Sequence, residues 1–332
     1  MQELRLGLVG CGAIAQWHAR ALKDLGRTRV TACVDVLAEN ADHLALLTGG
    51  EACSTIDEAM SIGVDALAIL VPHHLHQEIV SRALDVGVHV ALEKPMAPSI
   101  EACEQILAEA AKHPDKVFML TENAQYWPEV LIAQELISGG AIGDILTARS
   151  WHNFGITPEF YPSPESWRFQ TAQAGGGVAI DTGSHWMRPL RMILGEIDQV
   201  VAVTGRIQEK MQGESLVRAL CKFDSGVVAS FDVMLATGAV ALQPHFQFTG
   251  TKGEIVISAL GEVRLFDGTN WQGTVVGNGN YMDSYIGVWK DFEAAVLDGT
   301  PLAADARYSL GEVRAALAIN RSNESKQWEK VW

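Results

Sequence analysis

Three residues of this chain combine reactive side chains with informative positions: Lys94, Asp181 and His185. Lys94 lies in Glu93-Lys94-Pro95, directly after the apolar run at 88–92. A lysine at a strand end can hold a developing alkoxide by charge, or relay its proton if burial lowers its pKa. His185 carries a group that titrates near neutrality and suits a general base. Asp181 stands four positions earlier, and this spacing predicts one shared face of a helix over 181–194. From there the carboxylate can orient the imidazole or bind a hydroxyl. The pair follows Gly175-Gly176-Gly177, a run suited to close approach of backbone to a ligand. The set fits oxidation of an alcohol, in which a hydride leaves carbon and a proton leaves oxygen. Each residue alone also has a plainer reading: a surface lysine, a helix cap, a satisfied core histidine.

The hydride acceptor is written at the start of the chain. Residues 4–9 read as a short buried strand, and Gly10-Cys11-Gly12-Ala13-Ile14-Ala15 follows, opening a helix from Ala13. This is the strand–turn–helix setting of a dinucleotide fingerprint. Gly10 suits the tight turn, Gly12 close approach to a pyrophosphate, and the helix N-terminus its charge. A second strand over 29–34 ends at Asp35, where a carboxylate accepts hydrogen bonds from both ribose hydroxyls. It repels a 2′-phosphate, and Val36 and Leu37 supply no cation, so NAD is favoured over NADP.

The elements that must position these groups change character part-way along. Up to residue 122, strand and helix patterns alternate, with apolar runs at 65–71 and 88–92 and a last strand at 117–120. Six such strands imply a doubly wound parallel Rossmann sheet with ligands at the strand C-terminal ends. Beyond it, strands are expected at 145–151, 198–205, 215–223, 227–235 and 245–249, with helices at 128–138, 181–194, 285–297 and 310–320. Asp224-Ser225-Gly226 is a hairpin signal. These elements make an α+β domain on a mostly antiparallel sheet, and the domains divide as 1–122 and 123–332. His73, His74 and His76 cluster after Pro72, but no cysteine or paired carboxylate completes a ligand set, so no metal is expected. The aromatic stretch from Trp151 to Trp167, with Phe154, Phe160 and Tyr161, either lines a sugar pocket or packs between the domains.

Composition narrows the class. A formal charge of −15 argues against a nucleic-acid partner, which needs basic patches. No apolar stretch approaches the ~20 residues of a membrane span. Arg5 and the apolar residues after it superficially resemble a signal peptide, but the glycines and the strand pattern argue otherwise. Five scattered cysteines without a C-x-x-C pair suit a reducing compartment, with the cytoplasm expected.

With these residues in view, the chain resembles the glucose–fructose oxidoreductase / inositol dehydrogenase (Gfo/Idh/MocA) family over nearly its whole length. The resemblance rests on the glycine loop, Asp35, Pro72 with His76, Glu93-Lys94-Pro95, Trp167-Arg168 before the glycine run, and the D-x-G-x-H pattern Asp181-Thr182-Gly183-Ser184-His185. It implies that Lys94 lies beside the nicotinamide and the reacting hydroxyl. His185 is then the proton acceptor or donor, and Asp181 a substrate-binding or relay carboxylate. Gly10, Gly12, Ala13, Ile14, Asp35, Val71, Pro72, His73, His76, Glu93, Pro95 and Asn123 would bind the cofactor, with Trp167 and Arg168 reaching cofactor or substrate. Lys94, Asp181, His185 and Trp151 would meet a sugar, sugar derivative or inositol. The resemblance further implies a homodimer or homotetramer formed through the second domain's open sheet face. Val71 and His73 replace a threonine and an asparagine common in the family. Gln125-Tyr126-Trp127 and Gln134 are further departures, and together they leave the substrate open. Two other activities stay in view: cleavage of glycosides through transient oxidation by retained NAD, and nucleotide sensing without catalysis.

Overall fold

Short apolar strands between helices build the first sheet of the computed structural model, which describes residues 3–23, 25–163, 165–236, 238, 240–275 and 281–332. In chain order they are β1 (Leu4–Val9), α1 (Ala13–Leu22), β2 (Thr28–Val34), α2 (Ala38–Thr48), β3 (Glu51–Cys53), α3 (Ile56–Ile62) and β4 (Ala66–Ile69). Then come α4 (His76–Asp85), β5 (His89–Leu92), α5 (Ile100–Ala110) and β6 (Phe118–Leu120). All strand pairs are parallel, in the order β3-β2-β1-β4-β5-β6. Every residue of β4 is buried, as expected of a central strand covered on both faces. The order reverses between β1 and β4, which places a binding crevice outside the C-terminal ends of those strands.

The second sheet begins after α6 (Pro128–Ser138) with β7 (Ile145–Gly155), followed by α7 (Thr171–Ala174), α8 (Ser184–Leu194), β8 (Ile197–Gly205), β9 (Leu216–Phe223) and β10 (Val228–Ala236). The strands β11 (Phe246–Gly250), β12 (Glu254–Ile257), β13 (Glu262–Phe266) and β14 (Trp271–Val275) extend it. The helices α9 (Tyr281–Asp298) and α10 (Leu310–Ser325) and the short β15 (Glu329–Lys330) end the chain. The sheet runs β14-β13-β12-β11-β7-β10-β9-β8-β15. Among the described residues only the β7/β10 pair of this sheet is parallel. Period-two patterning decides its faces. On β9, Val217, Ala219, Cys221 and Phe223 are buried while Arg218, Leu220 and Lys222 point outward. β9 and β10 form the expected hairpin, with Gly226 at φ +86°. The short strands β12 to β15 carry too little pattern to be read from sequence.

The chain divides into two compact units, 1–123 with 282–310, and 124–281 with 311–332. A linear boundary near 122 assigns α9 to the second domain; the structure assigns nearly all of it to the first. Tyr285, Trp289 and Phe292 are buried, and Trp289 and Tyr285 pack their rings against His18 of α1. Arg27 pairs in bidentate fashion with Asp298 at 2.8 Å. In the second unit, buried Arg188 and Arg191 of α8 both bond Glu312 of α10.

Candidate active site

The first unit gathers its share of the expected site at the C-terminal end of its sheet. Gly10 follows β1 at φ +91°, donates its N–H to Val34 at 2.8 Å, and would drive a side chain to 2.8 Å from the Leu70 backbone. Only glycine fits there. Gly12 differs: a Cβ at that position meets nothing within 4 Å. Gly12 also caps α1 without any side-chain bond. The first N–H groups of α1 thus receive no bond from a cap side chain, and a helix N-terminus of this kind can receive an anion. Asp35 accepts from the Cys11 N–H on one oxygen and the Leu37 N–H on the other, both at 2.8 Å. A carboxylate has about four acceptor positions, so capacity remains for ribose hydroxyls.

Glu93, Lys94 and Pro95 follow β5. Glu93 is buried and Lys94 partly exposed. Thr121 donates to Glu93 Oε1 at 3.3 Å, and the His18 ring lies 2.9 Å from the same oxygen. His76 turns Nε2 to the Val71 carbonyl at 2.9 Å and Nδ1 to those of Pro95 and Met96 at 3.1 and 3.2 Å. Burial lowers its pKa. Fully enclosed, with backbone carbonyls facing both ring nitrogens and one of them accepting the single N–H of the neutral ring, His76 ties the Val71-Pro72 crossover to the turn after Lys94. Its neighbour His73 is likewise buried. Asn123 donates to Ser284 at 2.9 Å, while its buried Oδ1 has no partner among the described residues. Such an acceptor suits a donor on a ligand.

The second unit holds Asp181 and His185, and here the expected helix is corrected. α8 starts at Ser184, so Asp181 lies in the turn before it. Gly183 donates to the Val178 carbonyl, five residues back, at 2.7 Å. That bond breaks the helical register on which a shared face depends. A Cβ on Gly183 would stand 2.6 Å from the Ala179 oxygen, which is why this turn needs glycine. The Asp181 carboxylate lies 3.4 Å from Arg168 Nε. Arg168 in turn covers the Trp167 ring at 4.4 Å and the Phe160 ring at 5.5 Å.

The end of the glycine run packs backbone against backbone. Gly177 and Ala179 donate to the buried Glu214 carboxylate, at 3.2 and 3.0 Å, and a Cβ on Gly177 would overlap the Glu214 backbone. The run allows two backbone segments of this unit to pack together. Burial raises the pKa of Glu214. The aromatic stretch divides as well. Tyr161 stacks on Phe169 at 5.2 Å inside the unit, and burial, reinforced by the Asp181 charge, raises its phenol pKa. Trp151 lies beneath Arg149 at 4.1 Å, on β7. Side chains alternate along a strand, and its neighbour His152 stacks on Trp186 of α8 at 3.5 Å. Trp151 thus faces away from the helix that carries His185, and the structure does not bring the two together.

Sequence reasoning missed the group that does surround His185. Trp127 lies 6.3 Å from its ring and Trp186 6.2 Å. His245 meets Trp186 edge-on at 5.3 Å. Burial, followed by the charges of His245 and His185, depresses the pKa of His152; burial alone brings His245 to about 4. The indole N–H groups of Trp127 and Trp186 have no acceptor among the described residues. The signal available in the sequence was a pair of imidazoles, His152 on β7 and His245 directly before β11, which appears only once β7 and β11 are known to pair.

Residues 4–121 match the family model described as an oxidoreductase family with an NAD-binding Rossmann fold, and residues 130–256 match the Gfo/Idh/MocA C-terminal domain. The chain belongs to the Gfo/Idh/MocA family. Its first domain is an NAD-binding Rossmann domain, and the protein is an oxidoreductase by family. Curated relatives include the levoglucosan dehydrogenase of Pseudarthrobacter phenanthrenivorans, 29% identical over 78% of this chain and 74% of the relative. Another is the 1,5-anhydro-D-fructose reductase of Ensifer adhaerens, 27% identical over 76% and 75%. A levoglucosan dehydrogenase solved in complex with NADH superposes with a TM-score of 0.90 over all of both chains at 24% identity, which shows the shared fold. The open space at Gly12, the uncapped α1, Asp35 and the orphaned Asn123 acceptor fit the dinucleotide of the Gfo/Idh/MocA family.

Proposed function

We propose that the protein is an NAD-dependent dehydrogenase or ketoreductase of a sugar, sugar derivative or inositol, with Lys94 and His185 handling the proton. The observation that carries this reading is convergence at one end of the six-stranded sheet. The uncapped N-terminus of α1, the Asp35 carboxylate and Lys94 all lie there. The names of the relatives, a levoglucosan dehydrogenase and an anhydrofructose reductase, point to the substrate class. Bound NAD supplies the hydride acceptor. The chain's own groups do the rest. The Lys94 ammonium stabilises the oxygen that gains charge as hydride leaves its carbon. His185, framed by Trp127 and Trp186, accepts or returns the proton. Asp181, beside Arg168, orients that imidazole or binds a second hydroxyl.

Asp35, followed by the exposed apolar Val36 and Leu37, supports NAD over NADP. The five buried free cysteines support a reducing compartment, the cytoplasm. Among the described residues no helix is long and apolar enough to cross a membrane. The outward Leu220 and Val203 of the second sheet support association with a second copy of the chain.

The test is nicotinamide absorbance with NAD or NADP over a panel of polyols, aldoses, anhydrosugars and inositols, with Lys94→Ala alongside. Reduction of NAD by one substrate group, abolished in Lys94→Ala, is expected. Full turnover by Lys94→Ala removes the assignment.

A further inference from the structure

His18 stands in the core of the first unit with no exposed surface, and three segments distant in sequence meet at its ring. Trp289 of α9 places its indole N–H 3.1 Å from His18 Nδ1. An indole nitrogen only donates, so Nδ1 accepts and the ring proton of the neutral imidazole sits on Nε2. That nitrogen is 2.9 Å from Glu93 Oε1. The chain of bonds therefore has one direction: Trp289 donates to His18, and His18 donates to Glu93. The Thr121 hydroxyl reaches the same oxygen at 3.3 Å. Tyr285 packs edge-on against the same ring at 4.8 Å. Glu93 directly precedes Lys94 at the end of β5.

We infer that His18 is a positioning residue for Lys94, a step that rests on the catalytic role proposed above. Trp289 fixes the tautomer of His18, His18 fixes the Glu93 carboxylate, and the anchored Glu93 fixes the backbone from which the lysine projects. A packing histidine needs neither tautomer nor partner. This one has a donor on one nitrogen and a carboxylate on the other, linking α1, the end of β5 and α9. Catalytic groups tolerate little misplacement, since an error of about 1 Å can cost roughly 100-fold in rate.

The test compares His18→Leu, which removes both bonds, with His18→Gln, whose amide keeps an N–H toward Glu93. On the best substrate of the panel, His18→Leu is expected to lower kcat roughly 10- to 100-fold, with KM and NAD affinity within about twofold of wild type. His18→Gln should recover most of the lost kcat. A His18→Leu enzyme with wild-type kcat, or a His18→Gln enzyme no better than His18→Leu, overturns the inference. A second readout needs no substrate. Reductive 13C-methylation of the lysines gives a Lys94 signal, assigned by its loss in Lys94→Ala. Its shift should change in His18→Leu and in Trp289→Phe and return in His18→Gln; an unmoved signal overturns the inference. Trp289→Phe carries the test if His18→Leu does not fold. Full activity of Lys94→Ala would contradict the catalytic reading, while the lysine signal still decides whether His18 positions Lys94.

Discussion

Asp35 bonds one backbone N–H with each carboxylate oxygen, so it shapes the glycine loop before any ligand arrives. Charge-assisted hydrogen bonds contribute about 1.5–3 kcal/mol each. Asp35→Ala should therefore weaken NAD binding roughly 10- to 100-fold in a fluorescence titration; an unchanged dissociation constant would contradict the ribose role. His245 gives a pH signature. Burial holds it at about 4, against an ordinary 6.5. Between those values the unfolded chain binds a proton that the folded chain does not, so stability falls as pH drops from 7 toward 4. The loss is at most on the order of 3 kcal/mol, and the depressed His152 acts in the same direction. His245→Gln should narrow the gap between urea midpoints at neutral and acid pH; an equal gap would contradict it. The glycine loop and Asp35 were legible in sequence because their constraints are local. Trp289 was not, because it meets His18 from 271 positions away.

At the scale of elements, the second unit depends on how α8 is held. Arg188 forks onto Glu312 at 2.8 and 3.2 Å, and Arg191 reaches both Glu312 and Glu196. Removing one partner of a buried ion pair leaves a desolvated charge, at a cost of about 3–5 kcal/mol. Glu312→Ala should lose that much in denaturant unfolding; a loss confined to surface-pair magnitude would mean the cluster is not what holds α8. Local pattern found α8 but not its start, because four-residue spacing reads as helix whether or not the register is unbroken. The bond from Gly183 to Val178, like the bond from Val178 to Glu214, joins backbone groups that no side-chain periodicity records. The alternation on β9 and β10 was plain to read, whereas the short β12 to β15 were not. The position of α9 also escaped, since its pattern gives a helix without saying which core it enters.

At the scale of the molecule, both domain types were legible and the discontinuous first unit was not, because 282–310 returns to it after the whole second sheet. The second sheet's outward face carries Val203 at 67% exposure and Leu220 at 44%. If this face joins two copies, Val203→Lys with Leu220→Lys should shift sedimentation from oligomer to monomer while leaving NAD binding intact. An unchanged sedimentation coefficient would place the interface elsewhere. The central claim is that hydride passes from a sugar carbon to NAD and stays there. The most direct test follows deuterium by mass spectrometry from a sugar substrate labelled at one carbon at a time. The account requires one labelled position to yield deuterated NADH and an oxidised sugar, in wild type but not in Lys94→Ala. Deuterium returned to the sugar product, with NAD unreduced after each turnover, would contradict it and favour transient oxidation with bond cleavage.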